Sequence, residues 1–319
     1  MLIVQKFGGS SLSGQEQMAR AAQIILDARR EHEVLAVVSA AGDTTDELTK
    51  KAETIHRNPP SRELASLLST GEQQTGAYLA MLLNNLGAEA VSLTGWQAGI
   101  VSSQDFLNAS VRKILPYKIK AALKKGQIVI VSGFQAVTPA GDISTLGRGG
   151  SDTSAAALAL ALKAGECRIY TDVDGICTAD PRIIPDAEFI DKIDYRDMLA
   201  LSEMGCEVLK SDCVRLSMEN SLALRLLSSF RDCPGTLLCR MSEAERPDFA
   251  GITCDKERSL ISASGKAAGR AAADMLTQKL KSAGYTAEYS SIGDNCLSIK
   301  VAREQLSDGL RFCHSILFK

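Results

Sequence analysis

Residues 144–154 read Ser-Thr-Leu-Gly-Arg-Gly-Gly-Ser-Asp-Thr-Ser, and the alanine-rich stretch that follows is typical of a helix. Glycines leave the backbone bare where this helix begins, and the unpaired N–H groups of a helix start attract anions. Arg148 adds a guanidinium that fits a carboxylate, and Asp152 adds a carboxylate that fits an ammonium group. The combination suits a small zwitterion such as an amino acid. A glycine-rich turn with a Ser or Asp helix cap explains the same residues without a ligand.

A second glycine turn lies near the start of the chain. Leu2-Ile3-Val4-Gln5 reads as a strand, and Lys6-Phe7-Gly8-Gly9-Ser10-Ser11 follows it. A strand, a Lys-Gly-Gly turn and a helix form a phosphate cradle by the same physics. It is not a Walker A loop, because the lysine precedes the glycines. A third segment, Thr171-Asp-Val-Asp-Gly-Ile-Cys-Thr-Ala-Asp-Pro-Arg182, follows another predicted strand.

Segments typical of strands and helices alternate along most of the chain. Strands are predicted at 2–4, 34–39, 90–93, 99–101, 127–131 and 167–170, and helices at 15–30, 45–57, 63–86, 116–125 and 151–163. This alternation predicts an α/β fold with a mainly parallel sheet sandwiched by helices. Ligands of such sheets bind at the carboxyl ends of the strands, which is where the glycine turns fall.

The composition of the 319 residues predicts a soluble enzyme with one large and one small domain. The net charge of −2 gives no reason to expect nucleic acid or a membrane as a partner. The start lacks the basic and apolar pattern of a signal peptide, so a cytoplasmic location is expected. The nine cysteines are odd in number and form no CxxC pair, which argues against a disulfide framework or a zinc site.

Taken in order, the three glycine-containing segments resemble those of aspartate kinases of the amino-acid-kinase family, from residue 1 to about residue 240. The resemblance implies the amino-acid-kinase fold and transfer of a phosphoryl group from ATP to the side-chain carboxylate of L-aspartate. That acceptor is already ionised at neutral pH, so no general base is needed, and none of the three histidines lies in a motif. Mg²⁺ is implied together with ATP, and no dedicated protein cage for it is expected.

A domain boundary is predicted near residue 240, because residues 240–248 are polar and contain a proline, as linkers do. The strands and helices that follow resemble one ACT module, a small α+β regulatory fold, where aspartate kinases usually carry two. The expected domains are a catalytic domain at 1–240 and a single ACT-like regulatory or dimerisation domain at 248–319. Because ACT modules usually pair side by side, the resemblance also implies a homodimer.

The resemblance assigns roles to individual residues. Lys6 would neutralise the transferred phosphoryl group, and Asp152 would orient Lys6 or the substrate ammonium group. Glu72 would hold the α-ammonium group, and Arg148 would bind a substrate carboxylate. The residues implied for the substrate are Ser39, Thr45, Glu72, Arg148, Gly149, Gly150 and Ser151. The residues implied for the nucleotide are Lys6, Gly8, Gly9, Ser10, Thr171, Asp172, Cys177, Arg182 and Glu207.

Two residues on the nucleotide side depart from the family pattern. Cys177 stands where many relatives have a tyrosine that packs against the nucleotide, and it offers less surface for stacking. Glu207 places a negative charge where the family has a lysine. Lys210 follows three residues later, on the same face of a predicted helix, and would compensate for that charge.

Three functions therefore stay open. The first is a working aspartate kinase with a shortened regulatory region, and the set Ser39, Thr45, Glu72 and Arg148 favours it. The second is a kinase of another amino acid or related small acid. The third is a non-catalytic paralogue that senses amino acids or pairs with a full-length kinase, and Cys177 and Glu207 favour it.

Overall fold

A computed structural model describes residues 1–293 and 295–318 of the chain. These residues form two compact units. The first unit contains residues 1–174 and 224–233, and the second contains residues 175–223 and the chain from residue 234 onward. None of the helices in the described ranges combines the length and apolar character that a membrane crossing requires.

The strands of the described residues agree closely with the predicted positions in the first half of the chain. In chain order they are β1 (Leu2–Phe7), β2 (Glu33–Val38), β3 (Ala90–Leu93), β4 (Ile100–Ser102), β5 (Val111–Ile114), β6 (Ile128–Ser132), β7 (Gln135–Val137), β8 (Ile143–Thr145), β9 (Glu166–Thr171), β10 (Ile176–Cys177), β11 (Phe189–Ile190), β12 (Lys192–Asp194), β13 (Leu224–Ser228), β14 (Thr236–Cys239), β15 (Gly251–Asp255), β16 (Leu260–Ser264), β17 (Ala287–Gly293) and β18 (Cys296–Val301).

The five helices predicted in Sequence analysis begin and end within a few residues of the predicted bounds. In chain order the helices of the described residues are α1 (Gln15–Arg29), α2 (Thr44–Ile55), α3 (Ser61–Asn85), α4 (Tyr117–Lys124), α5 (Gly150–Leu162), α6 (Tyr195–Glu203), α7 (Ser211–Asn220), α8 (Arg270–Ser282) and α9 (Leu306–Leu317). Of these, α6 and α7 were not predicted. Single 3-10 turns lie at Ser10–Leu12 and Arg303–Gln305.

The first unit is built on parallel strands in the order β13-β9-β1-β2-β6-β3. Strand β2 reads Glu-Val-Leu-Ala-Val-Val and is buried from its second residue onward, as expected for a strand covered on both faces. Alternate residues of the sheet pack against α1 and α3 in one apolar cluster. Helix α5 contacts β1, β2 and β9. The predicted parallel sheet with covering helices is confirmed.

A smaller sheet in the first unit has the order β5-β4-β7-β8, with antiparallel pairs at both ends. Sequence periodicity indicated only β4, because these strands are three or four residues long and too short to show a period. Strand β8 ends at Thr145, directly before the glycine-rich segment, so this sheet sets where that segment begins.

The second unit holds a four-stranded antiparallel sheet in the order β15-β16-β18-β17, with α8 and α9 packed on its apolar residues. Antiparallel strands with two helices give the α+β architecture predicted for the ACT-like region. The same unit contains the parallel pair β12 and β14, the hairpin β10–β11, and helices α6 and α7.

The segment expected to be a solvated linker is partly buried. The Arg246 side chain has no exposed surface, and its guanidinium forms an ion pair with the equally buried Asp197 of α6, at 2.7 Å from Nη2 to Oδ1. Asp197 also accepts a hydrogen bond of 2.9 Å from the Ser264 hydroxyl of β16. Arg246 is therefore a buried residue within the stretch predicted as a linker, and the domain division at 1–240 and 248–319 stays a prediction.

Candidate active site

The carboxyl ends of the central strands are connected by backbone hydrogen bonds between the loops that follow them. The N–H of Gly8 donates to the carbonyl of Tyr170, and that of Gly42 to the carbonyl of Gly9. A Cβ atom on Gly9 would lie 2.8 Å from the Ala40 carbonyl oxygen, so only glycine allows the turn after β1 to approach the turn after β2 this closely. The predicted phosphate turn is therefore part of one continuous edge of the sheet.

Lys6 and Asp152 meet at this edge. The Lys6 ammonium lies 2.6 Å from Asp152 Oδ1, and the two side chains are 11% and 10% exposed. Lys6 comes from the end of β1 and Asp152 from the first turn of α5. Both side chains of the pair are thus largely shielded from solvent and retain a small exposed fraction.

The start of α5 is shaped by glycine rather than by a capping side chain. Gly149 precedes the helix with φ of 76°, Gly147 has φ of 70°, and the described residues provide no side-chain capping hydrogen bond at this helix start. The Ser or Asp cap considered for this segment is therefore wrong, because the capping position has no side chain. A Cβ on Gly133 would lie 2.9 Å from the Ser151 Oγ and Cβ atoms, so Gly133 lets the helix start approach the end of β6.

Glu72 lies within helix α3 and is only 3% exposed. Its Oε1 accepts a hydrogen bond of 3.1 Å from the Ala40 N–H, in the loop after β2. No donor among the described residues reaches the buried Oε2 atom. Burial raises the pKa of Glu72 to about 7, against the opposing effect of backbone hydrogen bonds that include the one from Ala40. A buried carboxylate with a free oxygen is suited to an incoming cation.

The remaining residues predicted for the substrate lie at strand ends and helix starts. Ser39 follows β2 and its N–H donates to the Phe7 carbonyl, while Thr45 lies in the first turn of α2. Arg148 is exposed between the two glycines with positive φ, and it forms no ion pair with another residue of the described ranges. A guanidinium presented in this way can bind a carboxylate without first breaking an internal ion pair.

The residues predicted for the nucleotide fall in both units. Gly8, Gly9, Ser10, Thr171 and Asp172 belong to the first unit, and Cys177, Arg182 and Glu207 belong to the second. Ser10 and its neighbour Ser11 form a separate 3-10 turn, and Gly14 precedes α1. The Ser11 hydroxyl lies 2.5 Å from that of Ser229.

The three nucleotide residues of the second unit have different local settings. Cys177 is in the short strand β10, paired with Phe189 of β11. The Arg182 guanidinium forms a bidentate contact with Asp180, with distances of 2.8 to 3.1 Å. Glu207 is exposed in a segment without helix, because Gly205 with φ of 112° follows the end of α6. The prediction that Glu207 and Lys210 share a helix face is therefore wrong.

Sequence reasoning missed Phe134, which follows Gly133 at the end of β6. Its φ of 66° is unusual for a bulky residue and indicates local strain. The Phe134 N–H donates to the Ser154 hydroxyl of α5, and its carbonyl accepts from the Leu146 N–H, just before the glycine-rich segment. Phe134 thus connects the end of β6 to both sides of the glycine-rich turn. The signal available in the sequence was a glycine directly after a buried strand.

Comparisons with known proteins agree with this arrangement. The profile of the amino acid kinase family matches residues 1–228. The aspartokinase of Corynebacterium glutamicum is 42% identical over 269 residues, which are 83% of this chain and 64% of that protein. An aspartokinase of a Bacillus species is 46% identical over 238 residues, which are 74% of this chain and 58% of that protein. The chain thus spans about three fifths of the length of these relatives.

Solved structures show the same fold. The crystal structure of E. coli aspartokinase III in complex with aspartate and ADP superposes with a TM-score of 0.85, at 19% identity and over 100% of each chain. The structure of aspartate kinase from Synechocystis has a TM-score of 0.69 at 27% identity, over 99% of this chain and 69% of that one. At these identities the superpositions show that the architecture is shared. They do not assign roles to individual residues.

Proposed function

The chain belongs to the amino acid kinase family, and on that premise we propose that it transfers the γ-phosphoryl group of ATP to the side-chain carboxylate of L-aspartate, forming 4-phospho-L-aspartate. The observation that carries this proposal is the Lys6–Asp152 pair, 2.6 Å apart between two glycine turns at the carboxyl edge of the sheet. A fixed cation beside bare backbone is what transfer of a charged phosphoryl group requires.

In this mechanism Lys6 stabilises the charge on the phosphoryl group during transfer. Asp152 is a positioning residue that holds the ammonium at one place, so that little reorganisation is needed as charge develops. The acceptor oxygen of aspartate is already ionised and attacks phosphorus directly. The bond to the β-phosphate oxygen breaks as the new P–O bond forms, and no proton changes place in this step.

The acceptor side is suited to a zwitterion with a second carboxylate. The free oxygen of Glu72 would accept the α-ammonium group, and that contact would stabilise the ionised form of Glu72. Arg148 would bind one carboxylate of the substrate, with Ser39, Thr45, Gly149, Gly150 and Ser151 around it. A substrate without an ammonium group would leave Glu72 buried without a partner, which disfavours simple dicarboxylates.

The donor side would hold ATP through the turn at Gly8, Gly9 and Ser10, through Thr171 and Asp172, and through Cys177, Arg182 and Glu207. Mg²⁺ would enter with the phosphates, and Asp172, exposed directly after β9, has carboxylate oxygens of the kind that this metal accepts. The bound metal would neutralise charge on the phosphate oxygens. Pairing through the ACT-like region would give the homodimer.

The test is aspartate-dependent formation of a hydroxamate from Mg-ATP, L-aspartate and hydroxylamine, with Lys6→Ala as the inactive control. We expect a clear signal that disappears in the variant. A signal with another amino acid and none with aspartate would support a kinase of a different substrate. Folded protein that binds aspartate and yields no hydroxamate with any amino acid would support the non-catalytic alternative.

A further inference from the structure

Within the segment between Thr171 and Arg182, Thr178 forms hydrogen bonds to residues that are distant along the chain. Its N–H donates to the Glu188 carbonyl at 2.8 Å, and its carbonyl accepts from the Ile252 N–H of β15 at 2.7 Å. Its hydroxyl accepts from the Glu188 N–H at 3.0 Å. These bonds close the base of the β10–β11 hairpin and connect it to the C-terminal sheet. Cys177 directly precedes this residue.

The same hydroxyl contacts the last helix of the described chain. Thr178 Oγ1 lies 3.0 Å from Nε2 of His314, a residue of α9 that is 136 positions away. Both residues are buried, with 7% and 8% of their surface exposed. The His314 ring stacks on Phe318 with centroids 4.7 Å apart, which fixes its orientation. None of the active-site roles described above uses this histidine.

Other contacts connect α9 to the same segment. Arg311 donates from Nε to the Ile183 carbonyl at 3.1 Å, and Ala179 and Ile184 are members of the apolar cluster formed by α8, α9 and the C-terminal sheet. The segment from residue 177 to residue 188 is therefore supported by the ACT-like region at a side chain, at a backbone carbonyl and through apolar packing.

We infer that His314 is a positioning residue for ATP binding: through Thr178 it fixes the segment that carries Cys177 and Arg182. The inference rests on the proposed function, in which those two residues contact the nucleotide. It gives the ACT-like region of this chain a role in assembling the donor side, whether or not an effector is bound.

The chemistry of the contact favours a specific hydrogen bond over packing alone. The Thr178 hydroxyl has one proton, and one of its lone pairs already accepts from Glu188. A neutral imidazole can complete this set with Nε2, either by accepting that proton or by donating its own. Burial lowers the pKa of His314 below its ordinary value, although Glu188 acts in the opposite direction, and the lowered pKa favours the neutral ring.

The test compares His314→Ala and Thr178→Val with the conservative variants His314→Gln and Thr178→Ser in the full chain. In His314→Ala and Thr178→Val, we expect the KM for ATP and the dissociation constant of ATP to rise about three- to tenfold. The KM for aspartate should change less than about twofold, since Glu72 and Arg148 do not depend on this contact. His314→Gln and Thr178→Ser keep a polar atom at the contact and should recover most of the ATP affinity.

The double variant Thr178→Val with His314→Ala provides a further criterion. If one hydrogen bond connects the two residues, the double variant should lose no more ATP affinity than either single variant. Ile119→Ala, which leaves a cavity at α4 of the first unit and outside the apolar cluster of α8 and α9, is the control for general destabilisation and should leave the KM for ATP unchanged. Arg311→Ala changes an exposed side chain, for which only a small loss of folding stability is expected, and the ATP dissociation constant should rise twofold or more.

Equal changes in both KM values, additive losses in the double variant, or unchanged ATP binding in Arg311→Ala and Thr178→Val would overturn the inference. Direct titration with ATP separates it from the proposed function. A wild-type chain that binds ATP but forms no hydroxamate contradicts the proposed function, and its variants still test His314. A wild-type chain that binds no ATP contradicts both.

Discussion

The Lys6 ammonium and the Asp152 carboxylate lie 2.6 Å apart, and they come from β1 and from the first turn of α5. A buried strand end supplies the cation, and a helix start that lacks a capping side chain supplies its partner. The pair is the fixed charge of the proposed active site. Because Lys6 and Asp152 have different proposed roles, we expect their substitutions to change the kinetics differently.

Lys6→Ala should lower kcat at least about a hundredfold and change the KM for aspartate little, because the contact strengthens only in the transition state. Asp152→Asn should lower kcat less, since the ammonium remains and loses only its fixed position. Steady-state kinetics with the hydroxamate assay measure both effects. Lys51→Ala, an exposed lysine of α2, is the control and should behave as wild type. Near-normal turnover of Lys6→Ala would exclude the proposed role.

Arg148→Ala should mainly raise the KM for aspartate, by about ten- to a hundredfold, because a hydrogen-bonded ion pair to the substrate is lost. Arg148→Lys should recover only part of this loss, since a single ammonium does not replace the two parallel donors of a guanidinium. Titration with aspartate in the absence of ATP checks the effect on binding alone. An unchanged aspartate affinity would place Arg148 outside the acceptor site.

Glu72 predicts a pH dependence of aspartate binding. With its pKa raised from 4.5 to about 7, Glu72 is largely protonated below pH 7, and the substrate ammonium group requires the ionised form. Aspartate affinity should therefore fall as the pH decreases below 7, by up to about tenfold per pH unit. Binding titrations from pH 6 to pH 8 measure this. Glu72→Gln should bind more weakly and with a flat profile, and an equally flat profile of the wild type would contradict the assignment.

The same carboxyl group affects the stability of the ligand-free protein. Between pH 4.5 and 7 the folded state retains the proton of Glu72 while the unfolded state has lost it. The contribution of Glu72 to the free energy of unfolding should therefore decrease as pH rises through this range, and level off above it. Urea denaturation of the wild type and of Glu72→Gln at several pH values gives the difference. A contribution that increases with pH in this window would rule out the raised pKa.

The buried pair of Asp197 and Arg246 predicts a large stability effect. Asp197→Ala should lower the free energy of unfolding by about 3 kcal/mol, because the Arg246 side chain has no exposed surface and keeps only the exposed Glu243 as a charged partner. The exposed pair of Arg270 and Asp274 is the matched control, and Asp274→Ala should cost less than about 1 kcal/mol. Denaturant titrations compare the two variants. Similar small losses in both would contradict the burial of the first pair.

Glu207→Lys tests whether the glutamate that stands in place of the family's lysine weakens ATP binding. If Glu207 faces the phosphates, the variant should bind ATP more tightly, by about tenfold or more, because a repulsive charge becomes an attractive one. Glu219→Lys, a change of the same charge at an exposed position near the end of α7, is the control. ATP titration at low salt gives the comparison. An unchanged affinity would place Glu207 away from the nucleotide.

Local patterns were sufficient to predict most of the architecture. Val34–Val38 and Ile128–Val131 are continuous apolar runs, and such runs between amphipathic helices specify a parallel sheet with covered faces. The glycine turns after these and neighbouring strands were enough to place the candidate site at the carboxyl edge. Each of these signals lies within a few residues along the chain, so a single sequence contains it.

Contacts between residues that are far apart along the chain could not be predicted from the sequence and were seen only in the folded structure. Thr178 and His314 are 136 positions apart, and Asp197 and Arg246 are 49 apart. No spacing in the sequence links either pair, and Arg246 lies in a stretch whose polar composition indicated a linker. The burial that raises the pKa of Glu72 likewise depends on Ala40 and on the packing of α3. Short-range periodicity thus determines which elements form, whereas the desolvation and partners of individual charges arise only when those elements pack.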